Sequence, residues 1–329
     1  MTNKLNNIRQ KMKIPIIMAP MFLISNVDMV VNACKSGIIG SFPALNARSN
    51  EEFKIWMKQI KSALTKAKSE DSQVISYWAV NFIAHKSNKR YKEDLETIKE
   101  CKPPIVITSL GDPSPVIQVV HQYGGIVLTD VINIKFAKKA VEKGTDGLIL
   151  VSSGAGGHGG TYNPFPFISE VKKFWSGATI LAGGISNANE IVASEILGAD
   201  FVYMGTRFIP TCDSNAHKEY KEMVLKSNMD QIIYTDVFSG IHANYLIPSI
   251  TKAGVDFKQV SRSKNTYKKT VGNPEVRAWK DIWGAGQGVG SIKEIQSVIE
   301  VVNELTNSYN LTKKNLTNDA GIRVKEPRN

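Results

Sequence analysis

The apolar run Gly147-Leu-Ile-Leu-Val151 leads straight into Ser152-Ser-Gly-Ala-Gly-Gly-His-Gly-Gly160, where five glycines surround a single imidazole, His158. A short continuous apolar run bounded by turn residues reads as a strand buried on both faces. Glycine weakens helices and strands. A cluster of it at a strand end therefore marks a place where backbone must approach a flat or phosphorylated ligand, and His158 is expected to face that ligand.

Working outward, the same grammar recurs: short apolar runs ending in Gly, Pro, Asn or Ser alternate with amphipathic stretches, which is the pattern of βα units and a parallel sheet. Eight strands are expected, at Ile14–Ala19, Gly37–Phe42, Ile75–Phe82, Pro104–Thr108, Gly125–Leu128, Gly147–Val151, Ala178–Ala182 and Phe201–Met204. Helices are expected at Asn26–Lys35, Asn50–Lys66, Tyr91–Glu100, Pro115–Tyr123, Ile134–Lys143, Phe167–Phe174 and Ala188–Leu197. Ser49 or Asn50 with Glu52, and Asn187 with Glu190, look like helix caps. An open doubly wound sheet would carry its Gly-rich fingerprint after the first strand. Here that strand ends in Ala19-Pro20-Met21, with no G-x-G-x-x-G. The expected class is α/β, a (β/α)8 TIM barrel with its ligand site at the carboxyl ends of the strands.

The unusual residues gather at those ends. Met21, Asn81, Ser109, Asp130, the loop around His158, Gly183-Gly184 and Gly205-Thr206 each follow a strand closely. After the eighth strand the chain departs from the barrel pattern, with a helix at Asn215–Lys226, loops dense in Gly, Pro, Asn and aromatics, and an amphipathic helix returning at Ser291–Leu305. The expected organisation is a barrel over 1–212 and 284–309, a smaller, partly helical cap over 213–283, and a polar tail over 310–329 that frays or packs lightly.

Composition narrows the function classes. The net charge of +11 comes from lysines spread along the 329 residues without a dense basic run, so a solvated surface is expected and nucleic-acid binding is not. Cys34, Cys101 and Cys212 are odd in number and widely spaced, fitting reduced thiols and neither a disulfide framework nor a zinc site. No metal is expected. With no apolar leader and no stretch of membrane-spanning length, the expectation is a cytoplasmic protein without a membrane partner.

Loops after the seventh and eighth strands form the usual phosphate site of this barrel. Ala182-Gly-Gly-Ile185 offers two side-chain-free amides, and Gly205-Thr-Arg-Phe208 offers amides, a hydroxyl and a guanidinium near a helix start. A bound phosphate is expected there. Arg207 either joins it or pairs with a carboxylate such as Asp200 or Asp213.

Several segments resemble the nitronate monooxygenases, formerly called 2-nitropropane dioxygenases, which are FMN-dependent TIM barrels similar to the flavin enoyl-acyl-carrier-protein reductases. The resemblance rests on Ile14-Pro-Ile-Ile-Met-Ala-Pro-Met21, Trp78-Ala-Val-Asn81, Ile107-Thr-Ser-Leu110, Gly154-Ala-Gly-Gly-His-Gly-Gly160, Leu181-Ala-Gly-Gly-Ile185, Gly198-Ala-Asp-Phe-Val-Tyr-Met-Gly-Thr-Arg-Phe208, Phe238-Ser-Gly-Ile-His-Ala-Asn-Tyr245 and Trp279-Lys-Asp-Ile-Trp-Gly-Ala-Gly-Gln-Gly-Val-Gly290. It implies that Met21 and Asn81 line the flavin ring and that Gly156 and Gly157 let the chain approach it. It implies that Gly183, Gly184, Gly205 and Thr206 hold the FMN phosphate and that His158 is the catalytic histidine.

The resemblance further implies oxidation of an alkyl nitronate, or its parent nitroalkane, by dioxygen, giving a carbonyl compound and nitrite. The enoyl reductases share an Ala-Gly-Gly-His run, so an FMN-dependent reductase of enoyl thioesters using NAD(P)H is the alternative. An inosinate-dehydrogenase-like barrel would need a cysteine where this chain has His158. A flavin store or sensor would bind flavin without turnover. His85 and His242 lie within reach of the pocket or serve the surface; His121 and His217 read as structural. Asp130 either touches substrate, orients a neighbour or caps the following helix, and Gln287 either caps the last helix or reaches the flavin. The oligomeric state stays open, with a homodimer as the candidate assembly.

Overall fold

Apolar runs that are hydrophobic on both faces need cover on both, and a sheet closed on itself and wrapped by helices supplies it. The computed structural model describes residues 3–71, 77–257 and 277–318. Its barrel strands are β1 (Ile16–Met18), β2 (Ser41–Pro43), β3 (Ala79–Ile83), β4 (Ile105–Ser109), β5 (Ile126–Val131), β6 (Gly147–Val151), β8 (Ala178–Ala182) and β9 (Phe201–Met204); β7 (Gly157–His158) stands apart from them. The eight are parallel, in the order β1-β9-β8-β6-β5-β4-β3-β2. A parallel bridge between Ile17 and Ile39 joins the two ends, with Met18 N–H donating to Ile39 O at 2.8 Å and Ile39 N–H to Ile16 O at 3.1 Å. The molecule is the expected (β/α)8 barrel.

The helices are α1 (Asn3–Lys11), α2 (Val27–Lys35), α3 (Asn50–Glu70), α4 (Tyr91–Cys101), α5 (Ser114–Gln122), α6 (Ile134–Glu142), α7 (Pro164–Lys172), α8 (Ala188–Ile196), α9 (Lys218–Lys226), α10 (Ile247–Lys252) and, last, α11 (Val298–Asn318). The caps behave as their side chains dictate: Ser49 accepts from Glu52 N–H at 3.1 Å, and Asn187 and Glu190 form a reciprocal capping box. Several helices differ from expectation: α10 was not foreseen, α7 begins three residues before Phe167 and α9 three residues after Asn215. The helix α1 was not foreseen, although Leu5, Ile8 and Met12 bury one face at helical spacing. α11 starts later and runs further than Ser291–Leu305. Ser297 caps it, accepting from Glu300 N–H at 3.2 Å while Glu300 accepts from Ser297 N–H at 2.7 Å. Residues 310–318, expected in the tail, are thus helical, and Tyr309 and Lys313 tie this stretch to Glu195 of α8. Residues 75 and 76 of the expected third strand, 258–276 of the cap and 319–329 of the tail lie outside the described residues.

Past the barrel, β10 (Ile232–Thr235) and β11 (Ala243–Leu246) form an antiparallel hairpin whose second strand pairs with β7. The segment after the eighth barrel strand therefore grips the Gly-rich loop directly.

One rim of the barrel mouth is fixed by charge. Arg90, just before α4, donates from Nη1 to Ala47 O at 2.7 Å and from Nη2 to Ala44 O at 3.0 Å, holding the turn after β2. Asp94 has no exposed surface and accepts from Arg90 Nε at 3.1 Å, Arg90 Nη2 at 2.9 Å and Asn50 Nδ2 at 3.0 Å. Removing the carboxylate would leave a largely buried guanidinium without its counter-charge. Asp94→Ala is expected to cost about 3 kcal/mol in urea denaturation, measured as a lower midpoint at unchanged slope.

Candidate active site

The strand ends enclose a cavity of about 1040 Å³. Met21, Asn81, Gly156, Gly157, His158, Gly183, Gly184, Gly205 and Thr206 all border it, although they come from five separate strand ends. Parallel strands converge their carboxyl ends on one mouth, and that geometry brings together residues far apart in sequence.

At one side lie two bare loops. Gly183 and Gly184 have φ of +119° and +72°, a region side chains avoid. A Cβ on Gly183 would fall 2.5 Å from Ser152 Oγ, whereas one on Gly184 would meet no described atom within 4 Å. Gly184 thus presents naked backbone to open space. Thr206 Oγ1 accepts from Gly286 N–H at 2.9 Å, and a Cβ on Gly288 would fall 2.9 Å from Gly184 O. A third segment, Gly286–Gly288, therefore packs on both loops. Arg207 takes no part in this. Its side chain is buried and donates from Nη2 to Gln296 Oε1 and Glu304 Oε2, both at 2.9 Å, so it braces α11 and not an anion in the cavity. Neither Asp200 nor Asp213 is its partner: Asp200 accepts from Thr179 N–H and Asp213 from Asn32 and Val298.

The Gly-rich loop is held from several sides. Gly157, at φ +74°, turns the chain so that β7 pairs with β11, His158 opposite Ala243 and Gly157 opposite Asn244. Asn244 Nδ2 donates to Ala155 O at 2.7 Å, Tyr234 Oη to Gly159 O at 2.8 Å and Gln287 N–H to Gly154 O at 2.9 Å. The His158 ring stands edge-to-face on Trp279 with centroids 5.2 Å apart, and its Nε2 lies 3.3 Å from Ser239 Oγ. The ring stays open to the cavity, yet the surrounding wall removes enough water to pull its pKa below the ordinary histidine value. Neutral pH therefore finds a neutral imidazole able to accept a proton.

Opposite, a polar chain crosses three strands. Asn81 Nδ2 donates to Ser109 Oγ at 2.6 Å, and Ser109 Oγ donates to Asp130 Oδ2. Asp130 Oδ1 and the Tyr203 hydroxyl are buried without a partner among the described residues, although both residues border the cavity. Burial pushes the Asp130 carboxyl up to about 7, opposed by the Ser109 bond, and raises Tyr203 well above the ordinary tyrosine range, helped by the Asp130 charge. Asp130 is not a helix cap: Asn133 caps α6, accepting from Phe136 N–H at 2.9 Å.

A model of the family described as nitronate monooxygenase matches residues 5–308. The chain belongs to the nitronate monooxygenase family. It is 26% identical over 216 residues to a probable nitronate monooxygenase of Staphylococcus haemolyticus, covering 59% of this chain and 60% of the relative. With a probable nitronate monooxygenase of Bacillus subtilis it shares 28% over 184 residues, 50% of this chain and 52% of the relative. The chain thus spans between half and two thirds of the length of these curated relatives. Among solved structures, FabK from Thermotoga maritima superposes with a TM-score of 0.77 at 21% identity over 97% of this chain and 99% of the other. A nitroalkane oxidase from Streptomyces ansochromogenes gives 0.77 at 18% over 93% and 99%. Both likenesses establish the barrel.

Within this family member, sequence reasoning placed the glycines and His158 but missed what surrounds the imidazole. Ser239, Trp279 and Asn244 lie in the quoted Phe238–Tyr245 and Trp279–Gly290 segments, which have no strand periodicity of the barrel kind. His85 and His242 do not border the cavity; His85 Nδ1 bonds Ser87 Oγ at 2.8 Å and His242 leans on Tyr234. His121 pairs with Asp146, and His217 caps α9. Gln287 lies far ahead of α11 and cannot cap it; it begins a short 3-10 turn, Gln287–Ser291. Among the described residues no cluster of metal ligands forms, and no helix is long and apolar enough to cross a membrane.

The carboxyl of Asp130 gives a stability test. It holds its proton to about pH 7 when folded but ionises near the ordinary 3.8 when unfolded, so in between the folded chain carries the extra proton and stability falls as pH rises. In the protein without added ligand, Asp130→Asn should raise the melting temperature by a few degrees at pH 8 and lose that advantage at pH 4, as read by calorimetry.

Proposed function

We propose that the chain oxidises alkyl nitronates, using FMN and dioxygen, to a carbonyl compound and nitrite. The observation that carries this is His158: an imidazole set among glycines on the wall of a large cavity, in a chain whose residues 5–308 match the nitronate monooxygenase family. Two features support FMN. Gly184 turns bare backbone to open space beside Gly183, Gly205 and Thr206, the cradle a phosphate needs. Elsewhere on the wall, Asp130 Oδ1 and the Tyr203 hydroxyl are buried polar atoms awaiting a partner.

On this reading Gly183, Gly184, Gly205 and Thr206 hold the phosphate, while Met21, Asn81, Gly156 and Gly157 flank the ring. When bound, FMN supplies the electron transfer between substrate and dioxygen. The protein supplies position and charge. A nitronate spreads its negative charge over carbon and two oxygens, and the imidazolium that His158 becomes once it has taken a proton donates its new N–H to one of those oxygens, orienting the carbon. With a neutral nitroalkane the same ring acts first as base, taking the proton from the carbon beside the nitro group. The apolar lining, including Pro20, Phe22, Leu45 and Ile83, limits water around the anion.

The test is turnover by the purified protein with propionate 3-nitronate under air, and flavin bleaching by NADH under nitrogen. Nitrite release with no bleaching is expected; rapid bleaching without nitrite would make the chain an enoyl-thioester reductase instead. His158→Ala should lower kcat/KM for a nitroalkane by about 10²-fold or more. Gly184→Ala should weaken FMN binding in a flavin titration and also lower the melting temperature, because a φ of +72° strains any side chain even where it meets no atom.

A further inference from the structure

Ser239 sits in the turn between β10 and β11, where Gly240 takes a left-handed conformation (φ +76°) and its N–H donates back to Asp236 O at 2.8 Å. That turn aims one hydroxyl at three groups. Ser239 Oγ lies 2.8 Å from Ile241 O, 3.1 Å from the Tyr245 hydroxyl and 3.3 Å from His158 Nε2. A serine hydroxyl has one proton and two lone pairs. Ile241 O is a carbonyl and can only accept, so the single Ser239 proton goes there. Tyr245 must then donate to Ser239, and burial, which pushes its phenol up to about 12, keeps that proton in place. The Ile241 N–H, at 3.4 Å the longest contact to this oxygen, is only a weak donor that shares the lone pair Tyr245 uses and leaves the second one for His158. Every proton that the serine can give is committed, so a bond to His158 requires the hydrogen to sit on Nε2.

We propose that Ser239 is a positioning residue that locks neutral His158 in the tautomer protonated at Nε2, leaving Nδ1 as the bare nitrogen that takes a proton from a neutral nitroalkane. This rests on His158 being the substrate-facing group, as proposed above. In the step, the substrate carbon–hydrogen bond breaks and the proton forms an N–H bond at Nδ1. The electron pair moves onto the nitro oxygens, giving a nitronate and an imidazolium whose Nε2–H remains on Ser239. Trp279, packed edge-to-face against His158 and 5.1 Å from the Tyr245 ring, holds both partners of the serine in place. A preformed nitronate needs no base, so the lock serves nitroalkanes and not nitronates.

The chain has five histidines, few enough for ¹⁵N-histidine spectra of the full-length protein. His158→Gln assigns the resonance pair that disappears. Above the titration of the ring, the wild type is expected to show a protonated Nε2 and a bare Nδ1. Ser239→Ala should move that pair toward the averaged values of free imidazole, and Ser239→Thr, which keeps the hydroxyl, should restore it. In parallel, Ser239→Ala should lower kcat for a nitroalkane about tenfold at unchanged KM, with nitronate turnover unaffected and Ser239→Thr again restoring the rate. A wild-type ring protonated at Nδ1, or a Ser239→Ala pair identical to the wild type, would overturn the proposal. An Nε2-protonated ring in a protein that turns over no nitro compound would instead uphold the lock and refute the function proposed above.

Discussion

Pairing of Gly157 and His158 with Asn244 and Ala243 is the contact on which the rest of the cavity depends. Five glycines in ten residues give a loop great freedom when unfolded, and its own bonds, Gly160 N–H to Val151 O at 3.2 Å and Ala155 N–H to Ser152 O at 3.5 Å, restrain it only in part. Backbone bonds to β11, the Asn244 amide on Ala155 O and the Tyr234 hydroxyl on Gly159 O supply the missing restraint from outside. The loop can therefore be bare enough to approach a ligand and still place one imidazole.

The same division of labour holds across the mouth. Gly183, Gly184, Gly205 and Thr206 come from the barrel, but Gly286 and Gly288 pack on them from the far end of the chain. Arg207, a guanidinium beside these loops, points away and braces α11 through Gln296 and Glu304. An anion bound here would be met by backbone amides and a hydroxyl, which can approach it without the bulk of a long side chain.

What the sequence made legible follows from period and punctuation. Eight apolar runs ending in turn residues announced the barrel, and glycines at the sixth, seventh and eighth strand ends announced the cavity, although several, such as Gly156 and Gly183, also serve close packing. The surroundings of His158 were not legible. Ser239, Asn244 and Trp279 come from irregular segments whose meaning is set by one antiparallel pairing, and no local pattern marks two residues such as Gly157 and His158 as a strand. Asp130 was ambiguous for a different reason: a carboxylate at a strand end reads equally as a cap, and only the presence of Asn133 at the helix start separates the two. α1 and the true start of α11 were within reach, through Leu5, Ile8 and Met12 and through Ser297 with Glu300.

The central claim is that one cavity holds a flavin by its phosphate at the last two barrel strands, with the imidazole of the Gly-rich loop beside its ring. A crystal structure of the protein grown with FMN measures this most directly. The account predicts the phosphate against the amides of Gly183, Gly184, Gly205 and Thr206, with the ring between Met21 and His158. A phosphate bound elsewhere, or a ring beyond reach of His158, would contradict it.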